Sequence, residues 1–487
     1  MDYQEQFITF IQNGKLEEIQ SFYEQYKVHI NISANDELAF RFACYNGGLE
    51  LAQWLYQIKP TIDISCDSEN AFRWACRKGH LELVQWLYQI NPTIDISANN
   101  EFAFRGACEN GHLELAQWLY KIKPTIDISA YNECAFRYAC GVGHLELAQW
   151  LYQIKPTIDI SSNNECAFRY ACKKGHLHLA QWLYQIKPTI DISALKEHPF
   201  RGACENGHLE LAQWLYKIKP TIDISALKED PFRGACENGH LDLAQWLYQI
   251  KPTIDISSYN DYAFRYACQN GHLDIAQWLY QIKPTIHISA KNEHAFRWAC
   301  GRGHLELAQW LYQIKPTIDI SAEDEEAFRL ACENGHLALI KWLYQIKPTI
   351  DISAKDEDAF QLACVLGHLD LAQWLYQIKP TIDISAEDEY AFRWACEYGY
   401  LDVAQWLQTL IPYGLYYTFE VDKNNKIISY STEKLNYSFL KKRLDIVHPG
   451  NEICFREALV RNRFHPKYMD KWVNWGHEEA EDFDMME

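Results

Sequence analysis

The order of hydrophobic and polar positions repeats along most of the chain with a constant spacing. The phenylalanine of an Ala/Pro-Phe-Arg/Gln triplet returns every 32 residues, and Glu133–Ser161 is a typical copy of the stretch around it. A fixed period of roughly 20–50 residues is typical of stacked supersecondary units. The twelve phenylalanines are Phe40, Phe72, Phe104, Phe136, Phe168, Phe200, Phe232, Phe264, Phe296, Phe328, Phe360 and Phe392.

The sequence of each 32-residue repeat predicts two helices. Ala135–Val142 is a short first helix that ends at Gly143, because glycine adopts the left-handed conformation that closes a helix. Leu145–Ile154 is the second helix, and Pro156 prevents it from continuing. The second helix is apolar on nearly all sides, so it must be packed by the units before and after it.

The link between units is short and ends in a polar tip. Thr157–Ser161 is predicted to be extended, and the Asn-rich tip Ser162–Glu165 is expected to form a tight β-turn. In nearly every unit an acid precedes the arginine by four residues, as Glu133 precedes Arg137. At the start of a helix this spacing predicts an ion pair and a favourable interaction with the helix dipole.

These patterns predict an all-α repeat solenoid with hairpin-like tips along one edge and a small α+β module at its C-terminal end. A β-hairpin of Tyr416–Val421 and Lys426–Tyr430 is predicted in that module, followed by three helices. The three predicted helices are Leu435–Val447, Phe455–Asn462 and Lys467–Trp475. The predicted divisions are a degenerate capping repeat at 1–33, twelve repeats at 34–412, the module at 413–476 and an acidic disordered tail at 477–487.

Charge and composition narrow the classes of partner. The formal net charge of −19 argues against nucleic acid and against anionic membrane surfaces, and it favours a basic partner. We find no secretory signal pattern and no apolar stretch near the ~20 residues that a membrane span requires. We therefore expect an intracellular, cytoplasmic protein.

Twelve of the sixteen cysteines fall in one repeat column, from Cys44 to Cys396. Equivalent residues of stacked helices lie roughly 8–10 Å apart, beyond the ~7 Å between Cα atoms that a disulfide allows. The column is therefore predicted to be buried reduced thiols in a reducing compartment.

The repeat resembles the ankyrin family. Its pattern matches Cys134-Ala135-Phe136-Arg137-Tyr138-Ala139-Cys140, then Gly143-His144-Leu145, Leu147-Ala148 and Trp150-Leu151. Arginine replaces the family's first histidine, variable residues replace its threonine, and each unit is one residue shorter. The repeated sequence GHLELAQWLYQIKPTIDIS also resembles ankyrin proteins of giant DNA viruses that infect amoebae. The resemblance implies a groove, lined by tips and first helices, that grips protein partners.

Three recurring residue columns admit a functional and a structural interpretation. Cys-x3-His could suggest zinc, but the helix-ending glycine separates the pair, and the resemblance implies that this histidine bonds backbone between units. The tryptophan column from Trp54 to Trp406 could stack sugars or bases, but its place on the packed second helix favours inter-unit packing. No phosphate loop, nucleophile elbow or zinc-protease motif occurs, so we predict no catalysis, no cofactor and no metal.

Candidate partner-binding residues are those that vary between similar units, because packing does not dictate them. Aromatic side chains among variable polar ones suit interface anchors, and neutral drift is the alternative interpretation. Phe104–Ala130 and Phe200–Ala226 are identical over 27 residues, so internal copying explains sameness between units. The candidates are Trp74, Asn99, Phe102, Tyr131, Tyr138, Tyr170, Lys196, His198, Lys228, Tyr259, Tyr262, Tyr266, His294, Trp298, Glu326, Asp358 and Tyr390.

We predict a monomeric, non-catalytic scaffold or adaptor that binds a protein partner through this groove. Acidic tips between Ala322 and Tyr390 favour a basic segment of the partner toward the C-terminal repeats. The alternative is a substrate adaptor of a ubiquitin ligase, with residues 413–476 as the effector, although no F-box-like pattern is evident there. A third class, an enzyme in the C-terminal segment, would need a pocket with convergent titratable groups.

Overall fold

The structure is a computed structural model that describes residues 3–384, 386–410, 415–421 and 427–434. The chain divides into two compact units, Met1–Ile254 and Asp255–Glu487. In both units each repeat consists of a longer first helix and a second helix, which has ten residues in every repeat except the last, where it has eight.

Unit 1 begins with a helix pair and continues with seven repeats. A 3₁₀ turn, Lys27–His29, follows α2. The helices are α1 Tyr3–Asn13, α2 Leu16–Tyr26, α3 Ala34–Tyr45, α4 Leu49–Ile58, α5 Cys66–Lys78, α6 Leu81–Ile90, α7 Ala98–Glu109, α8 Leu113–Ile122, α9 Ala130–Val142, α10 Leu145–Ile154, α11 Ser162–Lys173, α12 Leu177–Ile186, α13 Ala194–Glu205, α14 Leu209–Ile218, α15 Ala226–Glu237 and α16 Leu241–Ile250.

Unit 2 continues the same alternation and ends in two strands. Its helices are α17 Ser258–Gln269, α18 Leu273–Ile282, α19 Ala290–Gly301, α20 Leu305–Ile314, α21 Ala322–Glu333, α22 Leu337–Ile346, α23 Ala354–Val365, α24 Leu369–Ile378, α25 Ala386–Tyr398 and α26 Leu401–Gln408. The strands are β1 Leu415–Val421 and β2 Ile427–Lys434, and they pair antiparallel with Leu415 opposite Lys434. β2 lies next to α25.

The second helix forms where the sequence predicts it. α10 spans Leu145–Ile154, and the N–H of Lys155 closes it by donating to the carbonyl oxygen of Leu151 at 3.0 Å. Gly143 ends the first helix with φ +101°, and His144 N–H donates to Ala139 O at 2.8 Å. The glycine closure of the first helix and the extent of the second are therefore confirmed.

The tips differ from the prediction. Residues 131–133 adopt φ of 56°, 56° and 60°, so the chain makes one left-handed helical turn instead of a β-turn. The N–H of Glu133 closes this turn by donating to the carbonyl oxygen of Ser129 at 3.1 Å. Three consecutive left-handed residues recur in ten of the described repeats. The β-turn prediction is wrong, because the bond that closes the tip joins residues four positions apart, Ser129 and Glu133, whereas a β-turn joins residues three positions apart.

The core lies between the helices of each repeat and its neighbours. The side chains of Phe136, Ala139 and Cys140 on α9 are fully buried, together with Ala148 and Leu151 on α10. Burying a large apolar side chain stabilises a protein by roughly 1.5–3 kcal/mol. Because every repeat supplies the same residues, the core extends through each unit as a continuous column.

Residues 3–29 form a helix pair that packs against α3. Phe7 is fully buried and Ile11 and Ile19 are nearly so, while Glu17 and Glu18 on α2 are exposed. The buried Phe7 stands where the later repeats have their own phenylalanine, such as Phe40. The first helix pair therefore keeps the few buried apolar residues that a repeat needs, and its second helix carries exposed acidic residues.

The predicted C-terminal features fall largely beyond the described part of the chain. The strands β1 and β2 overlap the two predicted hairpin segments. The three predicted helices and the acidic segment 477–487 lie outside the described residues, so the small α+β module is not shown. The repeat solenoid itself is all-helical within the described ranges 3–384 and 386–410.

Candidate protein-binding surface

An arginine holds each left-handed tip in place. Arg137 donates from Nε to the carbonyl oxygen of Asn132 at 2.6 Å and from a terminal nitrogen to that of Tyr131 at 3.0 Å. Left-handed residues other than glycine are disfavoured by roughly 1–2 kcal/mol each, so the tip requires this support. The same pair of bonds is made by Arg73, Arg105, Arg169, Arg201, Arg233, Arg265, Arg297 and Arg329.

The predicted ion pair between Glu133 and Arg137 is wrong. Because Glu133 is left-handed, it does not share a helical face with the residue four positions later. Its buried carboxylate instead accepts hydrogen bonds from Ser129 Oγ at 2.7 Å and from the N–H of Asp159 at 3.3 Å. Lys155 donates to the same Ser129 hydroxyl. The carboxylate therefore joins one tip to the start of the next.

Two neighbouring first helices of unit 1 each present an exposed tyrosine two positions after the buried phenylalanine. Tyr138 and Tyr170 stand on α9 and α11, and each side chain is 46% exposed. The guanidinium of Arg137 lies 5.9 Å from the ring centre of Tyr138, and that of Arg169 lies 5.8 Å from the ring centre of Tyr170. Such cation–π contacts orient a ring without burying it. Both tyrosines are therefore held in place at the surface.

A second aromatic group in unit 1 lies on α3, α5 and α7. The ring centres of Tyr45 and Trp74 are 5.6 Å apart, as are those of Trp74 and Phe102. The guanidinium of Arg77 lies 5.3 Å from the Trp74 ring and 5.9 Å from the Phe102 ring. The structure thus brings the predicted residues Trp74 and Phe102 together and adds Tyr45.

Unit 2 carries a comparable aromatic row. Tyr262 and Tyr266 stack with ring centres 4.0 Å apart, and the Tyr266 ring is 5.5 Å from His294. His294 lies 6.1 Å from Trp298, which extends the row along α17 and α19. Four predicted residues of this unit therefore form one contiguous surface. Tyr390, further along the chain, is half-buried beside Trp394 at 5.8 Å.

Two predicted residues, Glu326 and Asp358, are half-buried, and each pairs with the arginine of the preceding repeat. Arg329 donates to Asp358 at 2.6 Å, and Arg297 pairs with Glu326. Asp230 plays the same part in unit 1, where Arg201 donates to it at 2.7 Å. These acidic side chains connect repeats, so their carboxylates are already engaged within the protein.

His198 and His294 occupy the equivalent position. Burial, together with repulsion from Arg169 and Arg201, lowers the pKa of His198 to about 4. Burial, with repulsion from Arg265 and Arg297, lowers the pKa of His294 to about 4 as well. Both imidazoles are therefore neutral near pH 7, and they contribute an uncharged aromatic ring instead of a positive charge.

The remaining predicted residues lie at the tips and are exposed. They are Asn99, Tyr131, Lys196 and Lys228 in unit 1 and Tyr259 in unit 2. Glu323 and Asp324 make the tip of the α21 repeat acidic and exposed. Every tip side chain in these repeats projects from the left-handed turn that the arginine supports.

The histidine column connects repeats. His112 Nε2 lies 3.1 Å from the carbonyl oxygen of Arg77, and a Cβ at Gly79 would fall 2.4 Å from the imidazole of His112. The predicted contact of this histidine with the backbone of the preceding repeat is confirmed here and at His80, His208 and His368. Within the described ranges, no three His, Cys, Asp or Glu side chains converge as metal ligands.

The tryptophan and cysteine columns also pack between helices. Trp150 receives Tyr120 edge-on at 5.9 Å and lies 6.3 Å from Phe104, both in the preceding repeat. The predicted packing of tryptophan between neighbouring repeats is confirmed. The cysteines of the described residues are free thiols, and burial raises the pKa of Cys76 and Cys140 well above the usual range.

Sequence reasoning did not select several exposed apolar residues. Tyr45 is exposed at the end of α3, Val142 at the end of α9 is 50% exposed, and Tyr398 is exposed at the position of α25 that is equivalent to Val142. The signal was present, because other repeats have Lys or Asn there, as at Lys78 and Asn110. Leu195 and Leu227, which are exposed at their tips, are likewise not among the candidates.

The stacked helix pairs define a repeat scaffold, and comparison with known proteins identifies its kind. The family model described as ankyrin repeats (3 copies) matches residues 104–196, 200–292, 264–356 and 328–412, which together exceed half of the chain. The chain belongs to the ankyrin-repeat family. No curated protein matches it. Ankyrin repeats are generally protein–protein interaction scaffolds and are typically non-enzymatic. None of the helices in the described residues has the length and apolar character to cross a membrane.

Proposed function

We propose that the protein is a non-catalytic scaffold that binds a protein partner through the first-helix face of its repeats. In unit 1 this face consists of Tyr131, Tyr138, Val142 and Tyr170. The observation that carries the proposal is the exposure of Tyr138 and Tyr170, each two positions after a fully buried phenylalanine of the same helix. Tyrosine provides a large contact area at low entropic cost and is enriched among residues that dominate binding.

In unit 2 the candidate surface is the row Tyr262, Tyr266, His294 and Trp298, with the acidic tip Glu323–Asp324 further along the same unit. Aromatic side chains next to exposed carboxylates suit a partner segment with basic residues beside apolar ones. We extend the proposal to a basic segment of the partner at this end. The resemblance to viral ankyrin proteins suggests a cytoplasmic host protein as that partner.

Affinity capture with the full chain as bait tests the proposal. One variant carries Tyr138→Ser and Tyr170→Ser. A matched control carries Gln117→Ser and Gln149→Ser, two exposed residues of second helices in neighbouring repeats. We expect a partner that the wild type and the glutamine variant retain and the tyrosine variant loses.

Equal recovery by both variants would contradict the assignment of the first-helix face. A ubiquitin-ligase subunit that both variants retain would instead favour the adaptor alternative. Circular dichroism of each variant must match the wild type for the comparison to hold.

A further inference from the structure

One arginine of unit 1 has a hydrogen-bond donor that the protein leaves unused. Arg169 is 8% exposed, and it donates from Nε to the carbonyl oxygen of Asn164 at 2.6 Å and from Nη2 to that of Asn163 at 3.2 Å. Its remaining nitrogen, Nη1, has no acceptor among the described residues and is accessible to solvent. A charged donor that is held in a fixed position suits an anionic acceptor.

Other repeats show which group this nitrogen binds. Nη1 of Arg201 donates to the carboxylate of Asp230, 29 residues later in the chain, at 2.7 Å. The fold therefore places a carboxylate against this nitrogen where the sequence supplies one. The same contact joins Arg297 to Glu326 and Arg329 to Asp358.

His198 stands at the position of that acid beside Arg169. The imidazole is half-buried, and its Nδ1 is buried without a hydrogen-bond partner in the part of the chain that the structure describes. An imidazole carries no negative charge in either protonation state, so it does not replace the carboxylate. Arg201, on the other side of His198, already donates to Asp230. The unused donor therefore belongs to Arg169.

Two comparable positions are filled by aromatic rings. Phe102 occupies the position beside Arg73, with its ring centre 5.1 Å from the guanidinium. In unit 2 the imidazole of His294 lies between the rings of Tyr266 and Trp298, at 5.5 and 6.1 Å. His198 contacts no aromatic ring within the described ranges. Its position therefore differs from both of these.

The acids of the neighbouring tips keep their charge but do not pair with Arg169. Glu165 accepts a hydrogen bond from the N–H of Asp191 at 3.3 Å, and Glu197 accepts one from Ser193 Oγ at 2.6 Å. Neither forms an ion pair with Arg169 among the residues described. The site is therefore defined by an unused donor and not by net positive charge.

We propose that the Arg169–His198 site binds the carboxylate of an aspartate or glutamate side chain of a partner protein. The carboxylate accepts from Arg169 Nη1, as Asp230 accepts from Arg201. Tyr170 is 46% exposed, and its ring centre lies 5.8 Å from the guanidinium, so a partner that covers this ring also shields the bond from water. The inference rests on the proposed function, because Tyr170 belongs to the first-helix face, and it names the partner residue at that point.

A subtractive peptide selection tests this inference. His198→Asp supplies the missing carboxylate from the protein itself, at the same separation from Arg169 as Asp230 has from Arg201. A random peptide display library is depleted on the immobilised His198→Asp chain and then selected on the wild type, so the surviving peptides bind what the variant lacks. We expect them to carry Asp or Glu, and replacing that residue by Asn or Gln should weaken binding about tenfold or more.

A matched variant separates the arginine from the histidine. His198→Leu removes the imidazole without adding an acceptor, and Leu38 shows that a repeat accommodates leucine at this position. We expect the selected peptides to bind this variant and the wild type alike. No surviving peptides, survivors without acidic residues, equal loss of binding on the two variants, or displacement by an equal concentration of free succinate would overturn the proposal.

Thermal unfolding of the two variants gives an independent readout. Because the new carboxylate accepts from Arg169, His198→Asp should have a higher Tm than His198→Leu. An equal or lower Tm would show that this position does not bind an anion, which would also overturn the proposal. The two hypotheses fail separately. A cellular partner that is lost on the Tyr138→Ser and Tyr170→Ser variant but retained by His198→Asp would support the scaffold function and contradict this site.

Discussion

The carboxylate of Glu133 accepts a hydrogen bond from the backbone N–H of Asp159, 26 residues further along the chain, at 3.3 Å. The bond ties the tip of one repeat to the backbone that leads into the next. The same carboxylate accepts from Ser129 within its own tip. One buried acid thus fixes both the shape of a tip and its position against the neighbouring repeat, which leaves the outward side chains free to vary.

Removing this carboxylate should destabilise two adjacent tips. Glu133→Ala leaves the N–H of Asp159 without its charged acceptor in a partly buried hydrogen bond, at an expected cost of about 1–3 kcal/mol. Glu133→Asp should cost much less, because Asp261 in unit 2 accepts from Ser257 at 2.5 Å and from His287 N–H at 3.3 Å. Hydrogen–deuterium exchange across residues 127–161 measures both. Equal exchange in the two variants would contradict the role of the carboxylate.

The arginine clamp should control the stability of its own tip. Arg137→Ala removes the two bonds to the carbonyl oxygens of Asn132 and Tyr131, and we expect a local loss of about 1–3 kcal/mol. Amides of residues 131–137 should exchange faster, while those of α10 should change little. As a control, Arg77→Ala removes an arginine that contacts Trp74 but holds no tip. Unchanged exchange in Arg137→Ala would show that the left-handed turn stands without the clamp.

Two glycines should respond to alanine with opposite signs. Gly111 has φ +79°, and a Cβ there would fall 2.3 Å from the imidazole of His144, so Gly111→Ala should cost about 1–2 kcal/mol or more. At Gly234, inside α15, the nearest atom to an added Cβ is 3.4 Å away. Gly234→Ala should be neutral or stabilise by about 0.5–1 kcal/mol. Chemical denaturation compares them, and a shift of the same sign in both would contradict this account.

Stability should fall on mild acidification because of the histidine column. Burial lowers the pKa of His112, His144, His176 and His208 below the ordinary value. At mildly acidic pH the unfolded chain therefore binds more protons than the folded protein. The contribution of these histidines to the free energy of unfolding is fully present above about pH 6.5 and is lost as the pH falls below it. Urea midpoints between about pH 7.5 and 5.5, above the usual range of carboxylates, measure this. A variant with His112→Gln should show a smaller slope, and a flat profile in the wild type would contradict the prediction.

The sequence predicted the parts of the fold that depend on periodic burial. The spacing of Phe136 and the closure at Gly143 located both helices, and Trp150 was placed between repeats because α10 is apolar on nearly all sides. The left-handed tip could not be predicted in the same way. Asparagine at a tip is compatible with several turns, and residues such as Leu195 or Glu133 do not favour a positive φ.

The candidate site was predictable by position but not by environment. Tyr138 and His198 both vary between repeats, yet Tyr138 is exposed and His198 is half-buried between arginines. That difference arises from Arg169 and Arg201 of successive repeats, a contact across the stack that a single repeat does not reveal. Exposure of Val142 likewise depends on how α9 ends against its neighbours.

Photo-crosslinking from single positions tests the protein-binding surface most directly. A photoreactive phenylalanine analogue replaces Tyr138 or Tyr170 on the first-helix face, or Gln117 or Gln149 on the second helices, in the full chain within cell lysate. We expect the two first-helix positions to yield the same crosslinked protein and the two second-helix positions to yield none. Crosslinks from Gln117 and Gln149 with none from Tyr138 and Tyr170 would place the partner on the opposite side and contradict the proposed function.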